Sequence, residues 1–324
     1  MSALTKVVGI DIAKNKIDVA FGDCIATIPN TQNAIERELI QKIDSDSLVI
    51  MEATGGYEDL LVTILHQHQI PVAVVQPRRV RCFAQSLGKL AKTDAIDARV
   101  IAEFGRVVQP VPQSAKSPER KSLEALVVRR RQVVDLINQE NNRRQQTSDQ
   151  LSQEFIQESL DFLKKQLKTL DSKLAEAVRT QSVDSRRTEI MKSVKGVGPV
   201  LVATMLAELP ELGQLNGNQI ASLVGVAPMN NDTGMRVGKR QIRGGRFQVR
   251  RVLYMSTLAA TRFNPQIKSF YQRLLTAGKP KKVALIAAMR KLLTLLNTLI
   301  KKDELWMPDR SIQQAAPIEE NKSV

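Results

Sequence analysis

The first hundred residues alternate short, evenly apolar runs with amphipathic ones. KVVGIDIA (6–13) is a β-branched run of the kind a strand covered on both faces requires. KIDVAFG (16–22) and CIATIPN (24–30) follow it at turn spacing, so the three predict an antiparallel meander. TQNAIERELIQKI (31–43) predicts a helix, SLVIME (47–52) a buried strand, and GYEDLLVTILHQHQ (56–69) an amphipathic helix with Leu60, Leu61, Ile64 and Leu65 inward. IPVAVVQP (70–77) predicts another strand, ended by Pro77; RRVRCFAQSLG and a helix opened by Thr93 come next. The order βββαβαβα predicts a mixed sheet with helices on its faces.

A Pro- and Ser-rich seam, VVQPVPQSAKSPER (107–120), follows. From 119 to about 185 there is neither glycine nor proline, and apolar residues recur at helical spacing: Leu123, Leu126, Val127, Val133, Val134, Leu136 and Ile137, then Leu160, Leu163, Leu167, Leu170 and Leu174. This predicts two long helices, read as a coiled-coil hairpin, with a packed helical layer as the alternative. The boundaries are therefore 1–112 for an α/β domain, 113–185 for the helical arm, 186–308 for a mostly helical domain closing on KPKKVALIAAMRKLLTLLNTLIKK, and 309–324 for a flexible tail.

With 324 residues and 43% hydrophobic content, the chain has material for two cores. No apolar run approaches the length of a membrane span, and MSALTKVVGIDIAK lacks a signal pattern, so a cytoplasmic, nucleoid-associated protein is expected. Cys24 and Cys82 make neither a disulfide framework nor a metal-ligand pattern. A net charge of +15, clustered rather than spread, points to a nucleic-acid partner. Aromatics at 4% argue against base stacking as the main binding mode.

Within this basic chain AKTDAIDARV sets Asp94 and Asp97 three apart on one helix face. Asp11 sits inside the first apolar strand and Glu52 ends the fourth. Taken singly, each has an ordinary reading: a strand-end or turn-entry carboxylate, a residue following a helix cap, a solvated charge. Taken together, four converging carboxylates repel unless a cation joins them, and with Mg²⁺ they make a two-metal site for phosphodiester chemistry. Asp18, Glu58, Asp59 and Glu103 are read as surface or supporting charges. GIDIAKNKIDV also resembles the first phosphate loop of actin-like ATPases, but no second Asp-x-Gly loop follows.

Two further stretches carry chemistry. VKGVGPVLVATMLAEL turns at Gly196 and Gly198, where backbone N–H groups can hold a phosphate as in a helix–hairpin–helix; an ordinary αα turn is the equal alternative. NNDTGMRVGKRQIRGGRFQVRRVLYM (230–255) carries Arg236, Lys239, Arg240, Arg243, Arg246, Arg250 and Arg251, with no acidic residue from Gly234 through Met255, and is read as phosphate-contacting. Thr233 heads it; from chemistry alone it reads as a turn threonine.

In order along nearly the whole chain, GIDIAKNKIDV, MEATGGYE, KTDAIDAR, GVGPVLVATMLAEL, LVGVAP, GKRQIRGGRFQVRRVLYM and GKPKKVALIAAMRKLL resemble the DEDD transposases of insertion sequences, relatives of the Piv DNA invertase and of RNA-guided (bridge-RNA or seek-RNA) recombinases. The resemblance implies a RuvC-like domain of ribonuclease-H-like fold, a coiled-coil arm and a C-terminal transposase domain. It implies that Asp11, Glu52, Asp94 and Asp97 are the Asp-Glu-Asp-Asp metal tetrad. It further implies a serine that attacks DNA covalently, a site shared between protomers as dimers assemble into a tetramer, donor and target DNA, a guide RNA from the element's noncoding end, and no membrane. Here the sequence departs: the family's Asp-Ser-Gly after GVAP reads Asp-Thr-Gly, with Thr233 at the serine position. Its hydroxyl is secondary and its χ1 restricted. A transposase or site-specific recombinase is the expectation; a hydrolytic, Holliday-junction-type nuclease and a non-catalytic nucleic-acid-binding protein are the rivals.

Overall fold

The computed structural model describes residues 6–22, 24–88, 94–180, 185–230, 232–233, 238 and 240–308, without the side chains of 94–96. It divides into two compact units, Met1–Lys116 and Ser117–Val324.

In the first unit β1 (Lys6–Ile12), β2 (Lys16–Phe21) and β3 (Cys24–Pro29) form the antiparallel meander, and β4 (Ser47–Glu52) and β5 (Val72–Val75) add parallel to β1. The sheet order is β3-β2-β1-β4-β5. Between β3 and β4 the expected helix is only partly α-helical: α1 (Gln32–Ala34) passes into a wide turn, Ile35–Leu39, and a tight one, Ile40–Lys42. The Ile40 N–H closes the wide turn on the Ile35 carbonyl, which leaves Ile35 and Leu39 both in the core.

Strand alternation sorts the core into two layers. Val8, Ile10, Ile12, Ile17, Val19, Val49 and Met51 pack with Leu61, Ile64 and Leu65 of α2 (Asp59–Gln67). On the other face Leu48, Ile50, Ala73 and Val75 pack with Val80 and Ala84 of α3 (Pro77–Ser86) and with Val100, Ile101 and Phe104 of α4 (Asp94–Val108). Thr93, expected to cap α4, lies outside the described residues. A seam of small residues brings α4 onto the sheet: Ala98 and Ala102 meet Ala20, and a Cβ on Gly9 would stand 2.8 Å from Ala102 Cα.

The second unit opens with α5 (Pro118–Gln146) and α6 (Gln150–Thr180), an antiparallel pair tied by Arg130–Asp171 and Arg144–Gln157. Ser117 caps α5, and Pro118 occupies a first-turn position that needs no N–H donor. Leu123, Val127, Leu174 and Val178 join the core of the remaining helices: α7 (Ser185–Ser193), α8 (Pro199–Glu208), α9 (Gly217–Val224), α10 (Phe247–Phe263), α11 (Pro265–Thr276) and α12 (Lys281–Lys302). A short hairpin, β6 (Pro228–Met229) and β7 (Gln241–Ile242), stands between α9 and α10. One expectation is corrected here. α12 is long and apolar enough to cross a membrane by length and composition, but half of that stretch is buried in the protein, with Leu292, Leu293 and Leu296 fully enclosed. Its hydrophobicity is that of a core helix.

Candidate active site

β1 and β4 run parallel with Ile10 beside Met51, so the next residues, Asp11 and Glu52, stand side by side where both strands end. Both belong to the alternation series that faces α4: Asp11 follows Val7 and Gly9, and Glu52 follows Leu48 and Ile50. The helix runs antiparallel to β1. A Cβ on Gly105 would stand 2.7 Å from Val7 Cγ1, whereas Ala98 and Ala102 cover Gly9 further along the strand. The first turn of α4, which carries Asp94 and Asp97, therefore begins at the edge where Asp11 and Glu52 end their strands. Asp11, Glu52 and Asp97 are all half-buried. The Asp94 side chain lies outside the described residues. Among the described residues no three His, Cys, Asp or Glu side chains stand together closely enough to hold a metal ion. The donor set itself, carboxylate oxygens only, fits a hard divalent cation.

The rim beside this edge is tightly built. After Glu52 the chain turns through Gly55 and Gly56, both at positive φ. Glu58 Oε2 accepts from Thr54 Oγ1 at 2.6 Å, from the Gly56 N–H at 2.8 Å and from the Thr54 N–H at 3.2 Å. Burial pushes this carboxyl up, but those hydrogen bonds outweigh it and hold Glu58 below the ordinary glutamate range. The same turn delays the helix, which starts at Asp59. Asn30 Nδ2 donates to the Ala13 and Tyr57 carbonyls, each at 3.2 Å, and so links the β1–β2 turn to the loop after Glu52.

Thr233 lies in the second unit. It is exposed, in the loop of the β6–β7 hairpin, where Asp232 Oδ1 accepts from the Gly238 N–H at 3.0 Å. Gly234, Arg236 and Lys239 lie outside the described residues. Arg240 and Arg243 are exposed on either side of β7. The other arginines of the stretch have intramolecular partners. Arg246 makes a two-pronged pair with Glu211, both contacts 2.6 Å, and donates to the Glu208 carbonyl. Arg250 donates to the Gly225 and Gly244 carbonyls and lies over the Phe247 ring. Arg251 pairs with Asp135 of α5. Sequence reasoning read these arginines by charge alone and missed the hairpin; the Gly-Gly step at 244–245 was the available signal for the turn that seats it.

Gly196 and Gly198 join α7 to α8. Gly196, at φ +97°, lies against α10, where a Cβ would stand 2.6 Å from Ala260 Cα. Gly198 is the N-cap of α8. Both line a cavity of about 410 Å³ shared with Arg130, Arg131, Gln248 and Arg251.

Two family models match the sequence: a DEDD transposase model over residues 8–155, which spans the four carboxylates, and one described as the IS116/IS110/IS902 transposase family over 188–272, which spans Thr233 and the basic stretch. The chain is 27% identical over 311 residues to the pilin gene-inverting protein of Moraxella lacunata, across 91% of this chain and 96% of that protein. The Moraxella bovis protein of the same description matches over the same shares. A protein of insertion element IS116 from Streptomyces clavuligerus is 29% identical over 157 residues, 48% of this chain and 38% of the relative.

Proposed function

Because this chain belongs to the IS116/IS110/IS902 transposase family, we propose that it is a DNA recombinase that cuts and rejoins donor and target DNA. The observation that carries this reading is the level pairing of Asp11 and Glu52 beneath the helix end that bears Asp94 and Asp97. In it, residues 1–112 form a RuvC-like, ribonuclease-H-like domain, supported by the strand order β3-β2-β1-β4-β5 with its antiparallel and parallel halves. Residues 113–185 are a coiled-coil arm and 186–308 the transposase domain.

Asp11, Glu52, Asp94 and Asp97 would hold a divalent cation, Mg²⁺ in this reading, which when bound polarises the scissile phosphate. Asn30 and Glu58 fix the rim beside these carboxylates and so limit their motion. Thr233 Oγ1 attacks phosphorus, loses its proton and forms a phosphoester with the DNA, while the displaced strand leaves as a hydroxyl. The hydroxyl of a second strand then attacks that ester, joins the new phosphodiester and restores Thr233. Arg240 and Arg243, with Arg236 and Lys239, neutralise phosphate charge around the loop. A guide RNA and assembly of dimers into a tetramer belong to the same reading and rest on the family resemblance.

The test is to trap the covalent intermediate. Purified protein receives labelled DNA from the flanks of its gene, RNA transcribed from those flanks, and Mg²⁺. An adduct mapped to Thr233, present in the chain as it stands and increased by Thr233→Ser, is the expected result. Free cleaved ends without an adduct in either protein would instead indicate a hydrolytic nuclease. DNA binding with no cleavage in Mg²⁺ or Mn²⁺ would indicate a binding protein.

A further inference from the structure

One buried carboxylate beside the tetrad has no part in the mechanism above. Asp18 is 5% exposed and sits directly across the β1–β2 ladder from Asp11. It shares a sheet face with Ala20, which packs on Ala98 and Ala102, so Asp18 and Asp11 lie on the same α4-covered side. Like charges opposite each other on antiparallel strands destabilise the pair, and a buried carboxylate requires partners. Asp18 has two. Thr27 donates its hydroxyl to Oδ1, and Lys16 Nζ stands 3.2 Å from Oδ2. Lys16 belongs to the same face of β2, further toward the edge where β1 ends: its carbonyl accepts the Ala13 N–H at 2.9 Å. The Lys16 side chain is 45% exposed, so it runs from the buried Asp18 out to the rim of the tetrad.

An ammonium on a flexible stem beside several carboxylates has two possible destinations. It can pair with the tetrad, where it competes with a metal ion, or it can be held aside and meet the substrate. We propose that Asp18, fixed by Thr27, is a positioning residue that keeps Lys16 off Asp11 and Glu52, and that Lys16 contacts the phosphate brought to the tetrad. The proposal rests on the tetrad being the cleavage site. It explains why a buried acid stands beside Asp11: its charge anchors the one cation that would otherwise collapse onto the metal-binding carboxylates. Asparagine at 18 keeps the shape and a hydrogen-bond acceptor but loses that charge.

The experiment measures Mn²⁺ binding to the full chain by electron paramagnetic resonance, without DNA. Asp18→Asn is expected to weaken Mn²⁺ binding by about tenfold, the scale of losses from groups that orient metal ligands. Adding Lys16→Met to Asp18→Asn is expected to restore binding to within about twofold of the unaltered chain, which a merely structural role for Asp18 would not do. Lys16→Met alone should bind Mn²⁺ normally yet slow cleavage of labelled flanking DNA by about 10²-fold, the cost of losing one charge-stabilising group. Should Lys16→Met not fold, Lys16→Gln serves in its place. Normal Mn²⁺ binding by Asp18→Asn, or no recovery in the double variant, overturns the proposal. Asp11→Asn separates the two levels: if it binds Mn²⁺ as well as the unaltered chain, the tetrad reading fails, and the proposal with it.

Discussion

Gly245 and Gly225 meet backbone to backbone: a Cβ on Gly245 would stand 2.6 Å from Gly225 Cα, and their φ angles are +74° and +79°. Gly225 ends α9 in the left-handed conformation, and Gly245 closes the turn after β7, so this contact seats the Thr233 hairpin on the helical core. Gly245→Ala should therefore cost about 2–4 kcal/mol, from left-handed strain together with overpacking. Gly244 is the internal comparison. It also has positive φ, +66°, but nothing lies within 4 Å of its would-be Cβ. Gly244→Ala should cost only about 1–2 kcal/mol, the conformational part. Urea unfolding of the two variants measures the difference, and adduct formation at position 233 should fall further in Gly245→Ala.

A second glycine controls the carboxylate edge. Gly9 admits α4 so closely that a Cβ would stand 2.8 Å from Ala102 Cα. No positive φ is involved, so the effect of Gly9→Ala is overpacking alone, about 1–3 kcal/mol. The expected consequence is displacement of α4 from β1, which moves Asp97 relative to Asp11 while leaving the sheet formed. Mn²⁺ binding should weaken in a protein whose far-ultraviolet circular dichroism is unchanged. Undiminished Mn²⁺ binding would show that the distance between α4 and β1 does not govern the site.

These glycines mark the boundary of what the sequence conveys. β1 to β5 were legible because buried strands of Val, Ile and Leu have few other places to go, and the seam at 107–120 was legible from its prolines. Asp11 and Glu52 were legible as a pair once two parallel strands were expected to neighbour each other. The wide turn at Ile35–Leu39 was not, because apolar residues four apart fit an ordinary α-helix equally well. Nor was the fate of Arg246, Arg250 and Arg251. Charge density along a stretch does not reveal that Glu211, the Gly225 carbonyl and Asp135, remote in sequence, fold back onto it. Asp18 looked like a surface charge because the lysine two residues before it gave no sign of burial.

The loop after Glu52 should be acid-sensitive. Glu58 accepts three hydrogen bonds that tie Thr54 and Gly56 together, and its carboxyl is held below the ordinary range despite the opposing effect of burial. A depressed folded-state pKa contributes stability that is present above the unfolded value, about 4.3 for glutamate, and lost as the pH falls through the folded one. Relative to Glu58→Gln, the unaltered chain should be more stable at pH 7, and the advantage should shrink progressively below about pH 4.3. Thermal midpoints of both proteins at pH 7 and in the acid range measure this. A constant difference across that range would show that Glu58 makes no ionic contribution.

Arg243 and Arg246, three residues apart, should behave as different kinds of arginine. Arg246 and Glu211 are each about one-third exposed and joined by two contacts of 2.6 Å, with the Glu208 carbonyl as a further acceptor. Burial pushes the Glu211 carboxyl up, but the Arg246 hydrogen bonds and charge outweigh it and hold it low. Removing the guanidinium strands a half-buried carboxylate, so Arg246→Ala should destabilise the second unit by about 2 kcal/mol, between the values for exposed and buried pairs. Arg243 is exposed beside the nucleophile loop. Arg243→Ala should leave the unfolding midpoint unchanged and instead reduce the slope of log K against log salt for DNA binding by about one. Chemical denaturation and salt-dependent binding on the same two variants separate the roles. A loss of stability in Arg243→Ala, or a reduced salt slope with full stability in Arg246→Ala, would reverse the assignment.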